Sequence, residues 1–212
     1  YLIADDGDDN GDGWRINSNQ DDNDLTISNN TTGSYVDKFT LLKTGELTLT
    51  SDLTIPDKII HTGDTNTALR FPAADTFTIE TGGTERLRVN SNGVVLVGHD
   101  TPLTTEGIFQ SQLVGTDFAT SGSSQFRFQD GVSGPTIALA HSRNGTKGSH
   151  TILANDDEFG KIRFYGSDGS DFGQFGAEIR AIVNGTPAAG TDMPGALIFG
   201  TTADGASTST ER

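Results

Sequence analysis

The chain has 212 residues, a net charge of −15 and no cysteine. That charge argues against nucleic acid or an anionic membrane as partner, because both need clustered cations and only 14 Lys and Arg are present, dispersed along the chain; the missing thiols exclude disulfide staples and thiolate zinc sites. Leu, Ile, Val and Phe total 49 residues, just above the roughly 20% below which highly charged chains stay disordered, so the chain folds with little apolar surface to spare and burial against copies of itself is the natural remedy.

Residues 1–24 carry eight aspartates against one arginine, around a short strand at Trp14–Ile16. Within them, Asp6, Asp8, Asn10 and Asp12 match the first half of a calcium loop, with Gly11 permitting the tight turn. Asn17 stands where that loop needs a bidentate glutamate. The incomplete motif favours an acidic turn capped by its own side chains, with calcium as the alternative.

From Leu25 to Ile27, Phe39 to Leu42 and Leu47 to Ile55 the apolar residues fall largely on alternate positions, which predicts half-buried strands, the last ended by Pro56. Alternation resumes at Leu69 and Phe71, Phe77 and Ile79, Leu87 and Val89, and Val95 and Val97, with turns at Gly82-Gly83 and at Asn90 to Gly93. Phe39 to Leu49 and Leu87 to Val97 share one plan of strand, glycine turn and strand, which is the mark of an array of short β units.

Residues 98–125 are weakly patterned and read as a connector bent at Pro102 and Gly122. Beyond it, Phe126–Phe128, Ile137–Leu139, Thr151–Ala154, Lys161–Phe164, Ala177–Val183 and Ala196–Phe199 are strand candidates, and no window carries a helical stripe free of glycine. The division expected is an acidic β module (1–50), a repeat-type module (51–99), a connector (100–125) and a second β module (126–212). Thr210-Glu211-Arg212 copies Thr84-Glu85-Arg86, so a further unit is expected to follow Arg212. No apolar run approaches the roughly 20 residues of a membrane span, and nothing resembles a signal peptide.

Asp57 to Asn66, Leu69-Arg-Phe-Pro72, Asp75-Thr-Phe77 and Glu80 to Val89 resemble repeat modules of tail-fibre proteins from tailed bacteriophages, marine ones especially. Phe159 to Phe164, Phe175 to Arg180 and Pro194 to Gly205 resemble a second module of the same proteins, and similar modules occur in bacterial surface and phage-tail-like proteins. The resemblance covers about half the chain and implies an elongated homotrimeric β fibre of the virion tail, partnered by other tail or virion proteins and by host-surface glycans or proteins. Such fibres often end in a self-cleaving intramolecular chaperone, which has no counterpart here.

For chemistry, His61, His99, His141 and His150 lie far apart and lack the close spacing of metal ligands. There is no G-x-S-x-G elbow, P-loop or dinucleotide fingerprint. Asp156, Asp157 and Glu158, with Asp168 and Asp171, are the acids available for glycan cleavage, and Trp14, Tyr35 and Tyr165 the aromatics available for sugar stacking; solvated turns and small cores are the favoured readings. The sequence therefore predicts an all-β, repeat-built, intertwined homotrimeric fibre segment with no catalytic or cofactor residues. A bacterial adhesin and a glycan-degrading fibre domain are the alternatives. Leu47, Leu49, Leu69, Phe71, Phe77, Ile79, Leu87, Val89, Val95 and Val97 are expected to be buried and shared between subunits.

Overall fold

The structure, a computed structural model, describes residues 2–3, 13–18, 23–30 and 33–212. It is mostly β, with three sheets and one four-residue helix among the described residues, in two compact units, residues 1–57 and 58–212.

In the first unit, β1 (Leu2–Ile3), β2 (Gly13–Ser18), β3 (Leu25–Asn30), β4 (Tyr35–Leu41) and β5 (Leu47–Leu49) form an antiparallel meander in chain order. Register aligns Ile16, Ile27, Phe39 and Leu49 in one row, and Leu25, Leu41 and Leu47 in the next, so the large apolar residues share a face. The other face carries buried Thr26 and Ser28. Ser28 Oγ donates to Asp37 Oδ1 at 2.6 Å, which satisfies a hydroxyl that would otherwise be costly to bury. The strand expected over Leu47–Ile55 stops at Leu49, close to where an extra residue at Lys38 interrupts the ladder of its partner β4.

In the second unit, β6 (Lys58–His61), β7 (Asp64–Ala73), β8 (Thr76–Thr81), β9 (Thr84–Val89), β10 (Val95–Val97) and β11 (Ser111–Leu113) again lie in chain order, with only β10 and β11 parallel. Gly82 and Gly83 both have positive φ and form the two-residue turn between β8 and β9, as the glycine pair predicts. The two similar stretches close alike. Gly45 N donates to Leu42 O and Leu42 N to Glu46 O; Gly93 N donates to Asn90 O and Asn90 N to Val94 O. Each glycine takes the left-handed backbone that ends a three-residue hairpin loop, and Asn90 Oδ1 adds bonds from the Asn92 and Val94 amides.

A third antiparallel meander comprises β12 (Glu158–Tyr165), β13 (Phe175–Val183), β14 (Gly195–Thr202) and β15 (Ser209–Glu211). Within the stretch read as a connector lie β11 and α1 (Phe118–Ser121), the helix held by a capping box between Asp117 and Thr120. Three expected strands do not form: Phe126–Phe128, Ile137–Leu139 and Thr151–Ala154. Residues 123–140 make no backbone-to-backbone hydrogen bond among the described residues, and a strand exists only by its ladder. Residues 151–154 are held at their ends, with Ser142 Oγ accepting from Thr151 N and Asp157 Oδ2 from Ala154 N, while Arg143 N donates to Thr151 O and Asp157 N to Ala154 O.

Gly98 joins β10 to the chain beyond it with φ +80°, and a Cβ there would lie 2.3 Å from Val114 O. Val114 N donates to Val97 O, so this carbonyl belongs to the β10–β11 seam and has no freedom to retreat. Gly98→Ala is expected to destabilise the fold by more than Gly93→Ala, which meets only the left-handed backbone cost of about 1–2 kcal/mol. Gly107→Ala, in open space, is expected to stay within about 0.5 kcal/mol of the parent. Urea midpoints of the three variants check the order.

Candidate interaction surfaces

One residue from each strand of the six-stranded sheet forms a continuous apolar row: Ile59, Leu69, Ile79, Leu87, Val97 and Leu113. Beside it stand Phe71, Phe77, Val89 and Val95, with the Phe71 and Phe77 rings 5.8 Å apart. Ile59, Leu69, Phe71, Val97 and Leu113 are exposed in the single chain and the others half-buried. The four-stranded sheet repeats the pattern, aligning Ile162 with Ile179 and Phe199, and Gly160 with Ala181 and Leu197, again with Ile162, Phe164, Leu197 and Phe199 exposed. Of the residues expected to be buried between subunits, Leu47, Leu69, Phe71 and Val97 are thus exposed here, and Leu49, Phe77, Ile79, Leu87, Val89 and Val95 half-buried.

The opposite faces are charged and carry the ion pairs, although Thr78 Oγ1 and Arg180 Nε are buried there without a hydrogen-bond partner. On the six-stranded sheet, Arg88 grips Glu85 through two bonds of 2.7 and 2.6 Å and Arg70 meets Glu80 at 3.1 Å, around fully buried Thr78 and Leu96. On the four-stranded sheet the centre is Glu178, with a side chain only 3% exposed. It accepts from Arg163 Nε at 3.0 Å and from Ser209 Oγ at 2.7 Å, with Arg180 at 3.6 Å. Arg163 also stacks 4.1 Å over the Phe175 ring and pairs with Glu106, which ties the 98–113 segment to this sheet. Arg180 and Lys161 both reach Glu158.

The acids considered for glycan cleavage are committed to turns and ion pairs. Asp157 caps Ala154 N and pairs with Arg143 at 2.9 Å. Asp168 accepts from the Ser170 and Asp171 amides, which hold its carboxyl below the usual carboxylate range, the reverse of what a general acid requires. Asp171 caps Gly173 N, and Asp156 accepts from Asn155. Arg15 stacks on Tyr35, and Tyr165 meets Phe175 edge-on, while Trp14 is partly exposed.

Asp6, Asp8, Asn10 and Asp12 lie outside the described residues. His141 and His150, far apart in sequence, meet at one open depression with Asp192 and Met193. Among the described residues no group of three or more His, Asp or Glu is placed to hold a metal ion. The Glu178 network escaped the sequence reading, although the alternation of charged and apolar residues in Lys161-Ile-Arg-Phe164 and Ala177-Glu-Ile-Arg180 carries its signal. No family model matches the chain, and no curated protein matches it.

Burial pushes the Glu178 carboxyl up, but its hydrogen bonds from Ser209 and Arg163, and the charges of Arg163 and Arg180, outweigh burial and hold it below the ordinary value of 4.5. A depressed carboxyl stabilises the fold fully above its unfolded value, and that stability is lost as pH falls through the folded one. Thermal melts are therefore expected to drop as pH falls below about 4.5. Glu178→Gln should melt lower at neutral pH, by about 1–3 kcal/mol, and show a shallower acid dependence. An unchanged slope would assign the acid sensitivity to other groups.

Proposed function

We propose that this chain is a structural and adhesive segment of a viral tail fibre, assembled from three copies, that spaces and orients host attachment on an extracellular particle. The observation that carries the reading is unburied surface. On both sheets of residues 58–212 large apolar side chains stand open, among them Ile59, Leu69, Phe71, Ile162, Leu197 and Phe199. The chain's buried aliphatic residues among those described are only Ala68, Val94, Leu96, Leu153, Val183 and Ile198. Single-layer sheets with one open apolar face need a second layer, and identical chains around a threefold axis supply it while covering sheet edges.

The resemblance of Glu80 to Val89 and of Pro194 to Gly205 to tail-fibre modules supports the viral setting, and the two glycine-closed hairpins support a repeat-built plan. Other tail or virion proteins are the remaining partners, and the turns at the sheet ends are the parts free to touch host-surface glycans. The fibre's work in this reading is mechanical, without catalysis or a resident cofactor.

Native mass spectrometry of the full chain is expected to give a trimer. Leu69→Asp, which sets a charge in the middle of the apolar row, is expected to raise the concentration of half-dissociation by about a hundredfold or more. A stable, folded monomer at all concentrations would overturn the reading.

A further inference from the structure

The segment from residue 123 to 140 carries large apolar side chains that nothing in its own chain covers. Phe126 is 79% exposed, Phe128 95% and Ile137 74%. Neither helix nor strand forms there, and among the described residues its backbone makes no backbone-to-backbone hydrogen bond, Gly134 O alone accepting from a side chain, that of Arg127. Bare aromatic side chains on backbone without a ladder combine two costs that a folded protein relieves by pairing with another chain.

The end of this segment shows what surface it fits. Leu139 lies directly over Gly160, whose missing side chain makes the seat: a Cβ there would come within 2.6 Å of Leu139 Cβ. Two residues on, the His141 ring N–H donates from Nδ1 to the Glu158 carbonyl of β12 at 2.7 Å. Gly160 shares its face with Ile162, Phe164, Leu197 and Phe199, the open apolar side of the four-stranded sheet. Leu139 has docked on that face, but Phe126, Phe128 and Ile137 have not, although all are apolar and Phe126 and Phe128 alternate with polar neighbours as β-strands do.

We infer that residues 123–138 are an exchange arm: Phe126, Phe128 and Ile137 of one copy cover the apolar face of the four-stranded sheet, at Ile162, Phe164, Leu197 and Phe199, in a neighbouring copy. Three facts select a second copy as occupant. Arm and face are both apolar and both uncovered, Gly160 already seats Leu139, the apolar residue that follows the arm, and the arm's backbone makes no backbone-to-backbone hydrogen bond among the described residues. The inference rests on the proposed multi-chain assembly and adds which surfaces make it.

The protein has no cysteine and its arm is accessible, so a photoreactive p-benzoylphenylalanine at position 128 is a clean probe in the full chain. Light and ¹⁵N-labelled copies are co-refolded, irradiated and digested. The expected product joins the position-128 peptide of one isotope to peptides holding Ile162 or Phe199 of the other, as often as to those of the same isotope. Same-isotope products alone would mean that the arm folds back on its own sheet, and inter-chain products outside the four-stranded sheet would place it elsewhere; either overturns the exchange. If the chain is a trimer and these products are missing, only the arm falls. If it is a monomer, the assembly falls as well. Phe126→Ser with Phe128→Ser is an independent check. It alters side chains that the single chain leaves bare, so it should leave the far-ultraviolet circular dichroism unchanged and raise the concentration of half-dissociation about tenfold or more; an unchanged midpoint overturns the exchange.

Discussion

The two-residue period of a β-strand governs everything in this chain. Side chains at i and i+2 share a face, so a strand such as Leu87-Arg88-Val89 sends its aliphatic residues one way and its arginine the other. Across six strands in register the rule turns sequence into surface: a row from Ile59 to Leu113 on one side, and paired Arg70, Glu80, Arg88 and Glu85 on the other. A single layer of such a sheet can complete only one of its two faces by itself. Here the charged face is the completed one.

That inversion explains why polar groups occupy the most protected places. Ser28, Thr78 and Glu178 are buried while Ile16, Leu69 and Leu197 stand open. A buried carboxylate is tolerated when its charge is matched and its lone pairs are filled, and Glu178 has two arginines and the Ser209 hydroxyl around it. Because those partners come from β12, β13 and β15, and through Arg163 from Glu106 of the preceding segment, the network fixes the register of the four-stranded sheet; a slip of one residue would strand the charge among apolar neighbours.

What was legible in the sequence was whatever is encoded locally. The hairpins at Gly45, Gly82-Gly83 and Gly93 were readable because each needs a left-handed residue at a fixed offset between alternating strands. Ser111-Gln112-Leu113 was missed because three residues carry no alternation, and the strand exists only through a parallel seam with β10 fixed by Gly98. Phe126-Arg-Phe128 and Ile137-Ala-Leu139 have a strand's pattern without a strand's ladder, since periodicity reports a preference and the partner decides whether it is realised. The pairing of Arg163 with both Glu178 and Glu106 joins stretches of sequence that no spacing rule connects, and the placing of His141 and His150 at one depression is a matter of loop path.

Connectivity separates the making of the sheets from any later association. In all three sheets hydrogen-bonded neighbours are consecutive in the chain, so each ladder closes a short loop at low entropic cost and needs no distant segment. The charged faces, made of contacts within one sheet or with the segment beside it, can be satisfied at that stage. The apolar faces cannot, because the chain has too few large side chains to build a second layer over each sheet, and they stay open in the single chain. In the proposed assembly, then, substitutions on the two faces of one strand belong to different equilibria: those at Arg88 or Glu178 act on whether the chain folds, those at Leu69 or Phe199 on whether folded chains associate.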